Sequence, residues 1–163
     1  IGMGAIGTRT AQLAKAFGCE VLGFNRSPRQ IEGVRMTDLD TLLSECDIVS
    51  LHVPLTDETR GLIGERELSL MKPDAVLINT ARGPVVDSRA LAAALKEGRL
   101  AGAAVDVYET EPPIAQDHPL LTAPNVTATP HVAFATKEAL YQRAAIVFDN
   151  VAGYLEGRPQ NVM

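Results

Sequence analysis

Gly2-Met3-Gly4-Ala5-Ile6-Gly7 is the stretch whose reading decides the fold. Three glycines at this spacing, leading into a helix, divide the steric demands of one turn. Gly2 allows the chain to turn tightly, Gly4 lets backbone approach a pyrophosphate, and Gly7 lets the helix pack against a strand. The first N–H groups of a helix have no partner within it, so an anion beside Ala5 and Ile6 would meet donors and the positive end of the helix dipole. Glycine turns also serve packing alone, so context must decide. Residues 6–17 read as a helix, with apolar Ile6, Leu13, Ala14 and Phe17 and a stop at Gly18. The next strand ends about 20 residues beyond the glycines, where a ribose-binding group is expected. Of the preceding strand only Ile1 is present, so the chain is expected to be a fragment.

Working outward, residues 20–25, 47–53, 75–79, 100–107 and 126–129 read as strands. Thr37 is expected to cap a short helix whose apolar face is Leu39, Leu42 and Leu43. Pro54 to Gly64 is a polar loop, followed by a helical turn at 66–71 that Pro73 closes. Asp87 caps a helix at 88–97, stopped by Gly98. A long last helix covers 135–156, with apolar Leu140, Ala144, Val147, Val151 and Leu155. The strands are continuous apolar runs rather than alternating ones, so both sheet faces must be covered; that implies parallel strands with crossover helices. The expected fold is one α/β domain over residues 1–163, a Rossmann-like doubly wound parallel sheet with helices on both faces and its first strand largely missing.

Composition narrows the function classes. The chain has 163 residues, 46% hydrophobic and 21% charged, which is globular composition. Its net charge is -5 and it has no dense basic run, so nucleic acid is a poor partner. No apolar run approaches the about 20 residues of a membrane span, and no membrane association is expected. Cys19 and Cys46 are too few for a disulfide scaffold and have no second cysteine or histidine pair nearby. They read as free, mostly buried thiols in a reducing, cytoplasmic setting, with no metal site.

The ribose end of the motif is unusual. A cofactor without a 2′-phosphate is commonly held by Asp or Glu at this position. Here the strand ends Gly23-Phe24-Asn25-Arg26-Ser27-Pro28-Arg29. Asn25 removes the charge that would repel a phosphate, while Arg26 and Ser27 could hold one by charge-assisted bonds. NADP is therefore expected over NAD. Alternatively, Arg26 and Arg29 are solvated loop cations and Asn25 bonds a ribose hydroxyl.

Ligands of doubly wound sheets lie beyond the carboxyl ends of the strands. Arg82, Glu111 and His131 each follow such an end, and their chemistry suits carbonyl reduction. A guanidinium can grip a carboxylate and polarise the adjacent carbonyl. Imidazole can protonate the carbonyl oxygen, and a neighbouring carboxylate would orient the ring and favour its charged form. Taken singly, each has a plainer reading: Arg82 a surface cation, His131 a structural histidine, and Glu109 as eligible as Glu111.

Beyond the glycine turn, the motifs that carry a resemblance are residues 46–56 (CDIVSLHVPLT), 79–87 (NTARGPVVD), 101–112 (AGAAVDVYETEP) and 129–131 (TPH). In order and spacing the chain resembles the D-isomer-specific 2-hydroxyacid dehydrogenases over practically its whole length. The resemblance implies hydride transfer between a nicotinamide and a 2-oxo acid/D-2-hydroxy acid pair. Glyoxylate/hydroxypyruvate reductase and phosphoglycerate dehydrogenase are the types it suggests. It assigns Arg82 to substrate and carbonyl, Glu111 (not Glu109) to pairing with histidine, and His131 to acid–base transfer; Arg82 and His131 also border the cofactor. Asp106 would hold the carboxamide, and Val53, Pro54, Thr80 and Ala81 would line the cofactor. His52 and Thr59 join this set, although the favoured reading of His52 is packing at the strand end, and His118 reads as a loop residue. Family members usually carry a substrate domain ahead of this one and form homodimers. Val132-Ala133-Phe134 departs from the glycine-rich sequence some subfamilies have after the histidine, which leaves the substrate open. A dinucleotide-sensing regulatory module, like the corepressors that resemble this family, is the alternative.

Overall fold

A computed structural model describes residues 1–110 and 113–162. It comprises two units, Ile1–Pro130 and His131–Met163. Glu111 and Pro112 fall outside the described residues.

The first unit alternates strands and helices: α1 Ala5–Ala16, β1 Leu22–Gly23, β2 Arg35–Met36, α2 Leu39–Glu45, β3 Ile48–Leu51, α3 Glu65–Leu70, β4 Val76–Asn79, α4 Ser88–Lys96, β5 Gly102–Val105, α5 Pro119–Thr122 and β6 Val126–Ala128. All pairings between these strands are parallel, as their continuous apolar sequences require. Strands β3-β4-β5-β6 form one sheet in that order, and β1-β2 form a second. Ile1 lies between them. Its nitrogen donates to the Ser50 carbonyl, its carbonyl accepts from the His52 N–H, and the Gly2 N–H donates to the Phe24 carbonyl. That is the central place of a first strand in a doubly wound sheet.

Helices flank the sheet. Leu42 and Leu43 of α2, Leu68 of α3, and Leu91 and Leu95 of α4 are buried with Val49, Leu51, Leu77 and Val105 of the strands. The register decides where chemistry can gather. Leu51 pairs with Asn79, Asn79 with Val105, and Val105 with Ala128. The four strands therefore end level, and His52, Thr80, Asp106 and Thr129 stand in a row along one edge.

Several expectations need correction. Asp38, not Thr37, caps α2: its carboxylate accepts from the Thr41 N–H and Thr41 hydroxyl, both at 2.8 Å. Helix α1 buries Gly7 and Ala11, while Ile6, Leu13 and Phe17 are exposed. Small residues one turn apart let the backbone come close, and this contact outweighs the larger apolar side chains in setting the buried face. β2 and α5 arise in stretches to which the sequence reading assigns no element.

The second unit holds α6, Lys137–Leu155, capped by the Thr136 hydroxyl, which accepts from the Ala139 N–H. No residue of α6 is buried, so its apolar positions Leu140, Ala144, Val147, Val151 and Leu155 do not form a core face.

Candidate functional site

Of the three glycines, two are explained by the protein's own packing. Gly2 has φ +85, and a Cβ there would lie 2.7 Å from Val53 Cγ1 and 2.8 Å from the His52 carbonyl carbon. A Cβ on Gly7 would lie 2.1 Å from the Gly2 oxygen. Gly4 differs: its φ is -76 and nothing lies within 4 Å of where its Cβ would be. Bare backbone thus faces open space at the start of α1. Gly4 caps that helix with no side-chain bond, and no acidic residue stands in its first turn. With exposed Ala5 and Ile6, the helix start presents backbone donors that could hold an anion such as a phosphate.

The ribose end is tied to this turn. The Met3 N–H donates to Asn25 Oδ1 at 3.1 Å, and Asn25 Nδ2 donates to the Ser27 carbonyl at 2.9 Å. Arg29 donates to the Met3 carbonyl. The Asn25 amide thus shapes the loop, and Arg29 is committed to backbone. Arg26 and Ser27 remain exposed, with Arg26 3.7 Å from Glu58 across the loops.

Beyond β3, His52 sits under the glycine turn, half-buried, with Nε2 3.0 Å from the Ser50 hydroxyl. Burial lowers its pKa from the usual value. Its contacts are those of a packing residue. Val53 touches Gly2, and Pro54 is exposed beside it. The Thr59 hydroxyl donates to the Pro54 carbonyl at 2.6 Å and accepts from the Thr56 N–H at 2.8 Å, so Thr59 shapes this loop.

At the end of β4, Asn79 is 1% exposed and staples the turn that carries Arg82. Its Oδ1 accepts from the Ala81 N–H at 3.1 Å, and its Nδ2 donates to the Arg82 carbonyl at 3.0 Å. Thr80 and Arg82 are exposed, Ala81 is buried, and Arg82 Nη1 donates to the Ala81 carbonyl at 2.7 Å. The next residue, Gly83, presses on the neighbouring strand segment: a Cβ there would lie 1.9 Å from the Tyr108 carbonyl carbon. Asp106, 3% exposed, accepts from the Thr129 hydroxyl at 2.5 Å. The chain segments after β4, β5 and β6 are thus joined pairwise.

His131 belongs to the second unit. It has φ +57, a left-handed conformation uncommon outside glycine, although histidine shares with asparagine and aspartate a several-fold enrichment there. Its ring meets Phe134 edge-on at 5.9 Å between centroids, and Arg143 lies over Phe134 at 5.7 Å. Glu111 lies outside the described residues. The structure therefore gathers the glycine turn, Asn25 and His52 at one place, and the Arg82 turn, Tyr108 and Asp106 at another. Sequence reasoning missed Asn79 as the holder of the arginine turn; a lone amide closing an apolar strand was the available signal. Both cysteines are free, but Cys19 is exposed and Cys46 only partly covered, not mostly buried as expected, and no helix among the described residues is long and apolar enough to cross a membrane.

Comparison with known proteins agrees with this architecture. Residues 1–133 match the family model of the D-isomer specific 2-hydroxyacid dehydrogenase, NAD binding domain. Glyoxylate reductase of Aeropyrum pernix is 47% identical across 100% of this chain and 50% of its own length. An acyclic imino acid reductase solved in complex with NADPH and D-Arg has a TM-score of 0.92 at 39% identity, over 99% of this chain and 52% of that one. The NAD-complexed D-isomer specific 2-hydroxyacid dehydrogenase of Lactobacillus delbrueckii ssp. bulgaricus has a TM-score of 0.89 at 35% identity, over 99% and 54%. The chain spans about half the length of the curated relatives it matches. By sequence motif, strand order and match alike, this chain belongs to the D-isomer specific 2-hydroxyacid dehydrogenase family, as its NAD binding domain.

Proposed function

We propose that this chain is the dinucleotide-binding part of an oxidoreductase that interconverts a 2-oxo acid and a D-2-hydroxy acid, of glyoxylate/hydroxypyruvate reductase or phosphoglycerate dehydrogenase type. The observation that carries the reading is the open backbone of Gly4 at an uncapped helix start, on the edge where β3, β4, β5 and β6 end level. When bound, the nicotinamide supplies or takes up the hydride at the substrate's C2. Gly4, Ala5 and Ile6 hold the pyrophosphate over the turn that Gly2 and Gly7 allow, Val53, Pro54, Thr80 and Ala81 line the groove, and Asp106 takes the carboxamide. Thr59 keeps Pro54 in place, and His52 supports the turn from below.

Arg82 binds the substrate carboxylate bidentately and draws charge from the adjacent carbonyl. His131 gives a proton to the carbonyl oxygen as hydride reaches carbon, and takes it back in the reverse direction. Glu111 orients the imidazole and favours its protonated form. Arg26 and Ser27 take a 2′-phosphate, which makes NADP the preferred cofactor. The neutral Asn25 at the strand end, bonded to the Met3 N–H, supports this, since an amide does not repel a phosphate as Asp or Glu would. We expect the active species to be a homodimer.

A panel of glyoxylate, hydroxypyruvate, 3-phosphohydroxypyruvate and pyruvate, offered to the intact protein with NADPH and NADH, tests the reading. Turnover of at least one, with lower KM for NADPH, is expected. Tight dinucleotide binding without turnover of any 2-oxo acid would favour the regulatory reading instead. A several-fold preference for NADH would end the NADP assignment.

A further inference from the structure

One side-chain cluster lies outside the groups assigned above. His118 caps α5, with Nδ1 accepting from the Leu120 N–H at 3.3 Å, while Nε2 lies 2.9 Å from Glu109 Oε2. A ring nitrogen that accepts a backbone N–H carries no proton itself, so the proton of the neutral imidazole is on Nε2 and is donated to Glu109. The His118 side chain is 12% exposed, and its ring meets buried Tyr108 edge-on at 5.3 Å and 87°. Burial alone would raise the Glu109 carboxyl, but the neighbouring Ser88 and His118 side chains hold it below the usual range. One imidazole thus joins the start of α5 to the segment leaving β5.

That segment has two consequences for the proposed reaction. The Tyr108 backbone is the surface on which Gly83 presses, next to Arg82. Glu109 stands two residues before Glu111 in the chain. Resting on the function proposed above, we infer that His118 is a positioning residue: through Glu109 it fixes the segment that supports the Arg82 turn and leads to Glu111.

Two isosteres separate the two bonds of the ring. His118→Asn keeps an acceptor for the Leu120 N–H but does not reach Glu109; His118→Gln keeps a donor for Glu109. In the intact protein, amide hydrogen exchange over residues 105–110 should speed up about tenfold in His118→Asn and Glu109→Ala and stay near wild type in His118→Gln, the scale of one lost charge-assisted bond. The same two variants should lose about 10- to 100-fold in kcat for the 2-oxo acid, with KM and the NADPH Kd within about twofold, as a misplaced group requires. The double variant Glu109→Ala/His118→Asn should fall no further than either single one. Unchanged exchange in His118→Asn, or equal losses in the Asn and Gln variants, overturns the inference. Exchange is read without turnover: should the wild type reduce no 2-oxo acid, the proposed function fails while the exchange result still decides the positioning.

Discussion

Replacing Gly4 and Gly7 in turn by alanine separates the ligand's demands from the fold's. At Gly4 the backbone is already in a conformation alanine adopts, φ -76 and ψ -161, and an added Cβ touches nothing within 4 Å. Losing glycine at the cap costs the helix a few tenths to about 1 kcal/mol, and the smaller unfolded-state entropy of alanine returns about 0.4–1 kcal/mol. Folding stability should therefore change by no more than about 0.5 kcal/mol. Binding is another matter, because the methyl group occupies the space through which a phosphate reaches the N–H groups of α1. One charge-assisted hydrogen bond lost to a charged ligand is worth about 1.5–3 kcal/mol, so the dinucleotide Kd should rise about 10- to 100-fold. At Gly7 the added Cβ would sit 2.1 Å from the Gly2 oxygen, well inside van der Waals contact. Relief requires α1 to move off the turn, and stability should fall by about 1–3 kcal/mol or more. Urea denaturation reads the first quantity and calorimetric titration with NADPH and NADH the second. Should Gly4→Ala bind both cofactors as tightly as wild type, the assignment of the turn to the pyrophosphate is refuted.

Further outcomes follow from the other groups. His131→Gln in the intact protein should lower kcat by about 10²–10⁴ with cofactor Kd unchanged, read by steady-state kinetics and titration. Arg82→Lys keeps charge but loses the planar fork, so kcat/KM for the 2-oxo acid should drop at least about tenfold; equal activity would remove Arg82 from carboxylate binding. His52 has its folded pKa lowered from 6.5 by burial, so the unfolded chain takes up this proton more readily. Its contribution to stability is full above pH 6.5 and is lost as pH falls from there towards the folded value. Denaturation midpoints between pH 5 and 8 should show that decline, and His52→Gln should flatten it.

Parallel strands and the glycine turn were legible because both are written in local composition: apolar runs need cover on two faces, and the spacing of Gly2, Gly4 and Gly7 before a helical pattern marks a tight turn. Strand edges were less so. β2 is only Arg35–Met36, and its pairing with Leu22–Gly23 is set by a neighbour rather than by its own residues. The buried face of α1 was misread because apolar size suggested Ile6, Leu13 and Phe17, whereas close approach selects Gly7 and Ala11. Among the proposed site residues, Asn25 and Arg26 are singled out by the distance between the glycines and the next strand end. Arg29 was left as a possible loop cation, although it reaches back to Met3. His118 read as a loop residue because its partner Glu109 is nine positions away and no periodicity links them.

Asn79 also bears on how such a protein ages. Deamidation converts an asparagine into aspartate with almost no change of shape, so sterics alone would not register it. Here the amide nitrogen donates to the Arg82 carbonyl from a site 1% exposed. An aspartate would turn that donor into a second acceptor facing a carbonyl oxygen, and would leave a negative charge without solvent. The turn bearing the guanidinium would then be pushed apart by a chemical change of a single mass unit, so the seclusion that keeps water from Asn79 also preserves the arginine's place.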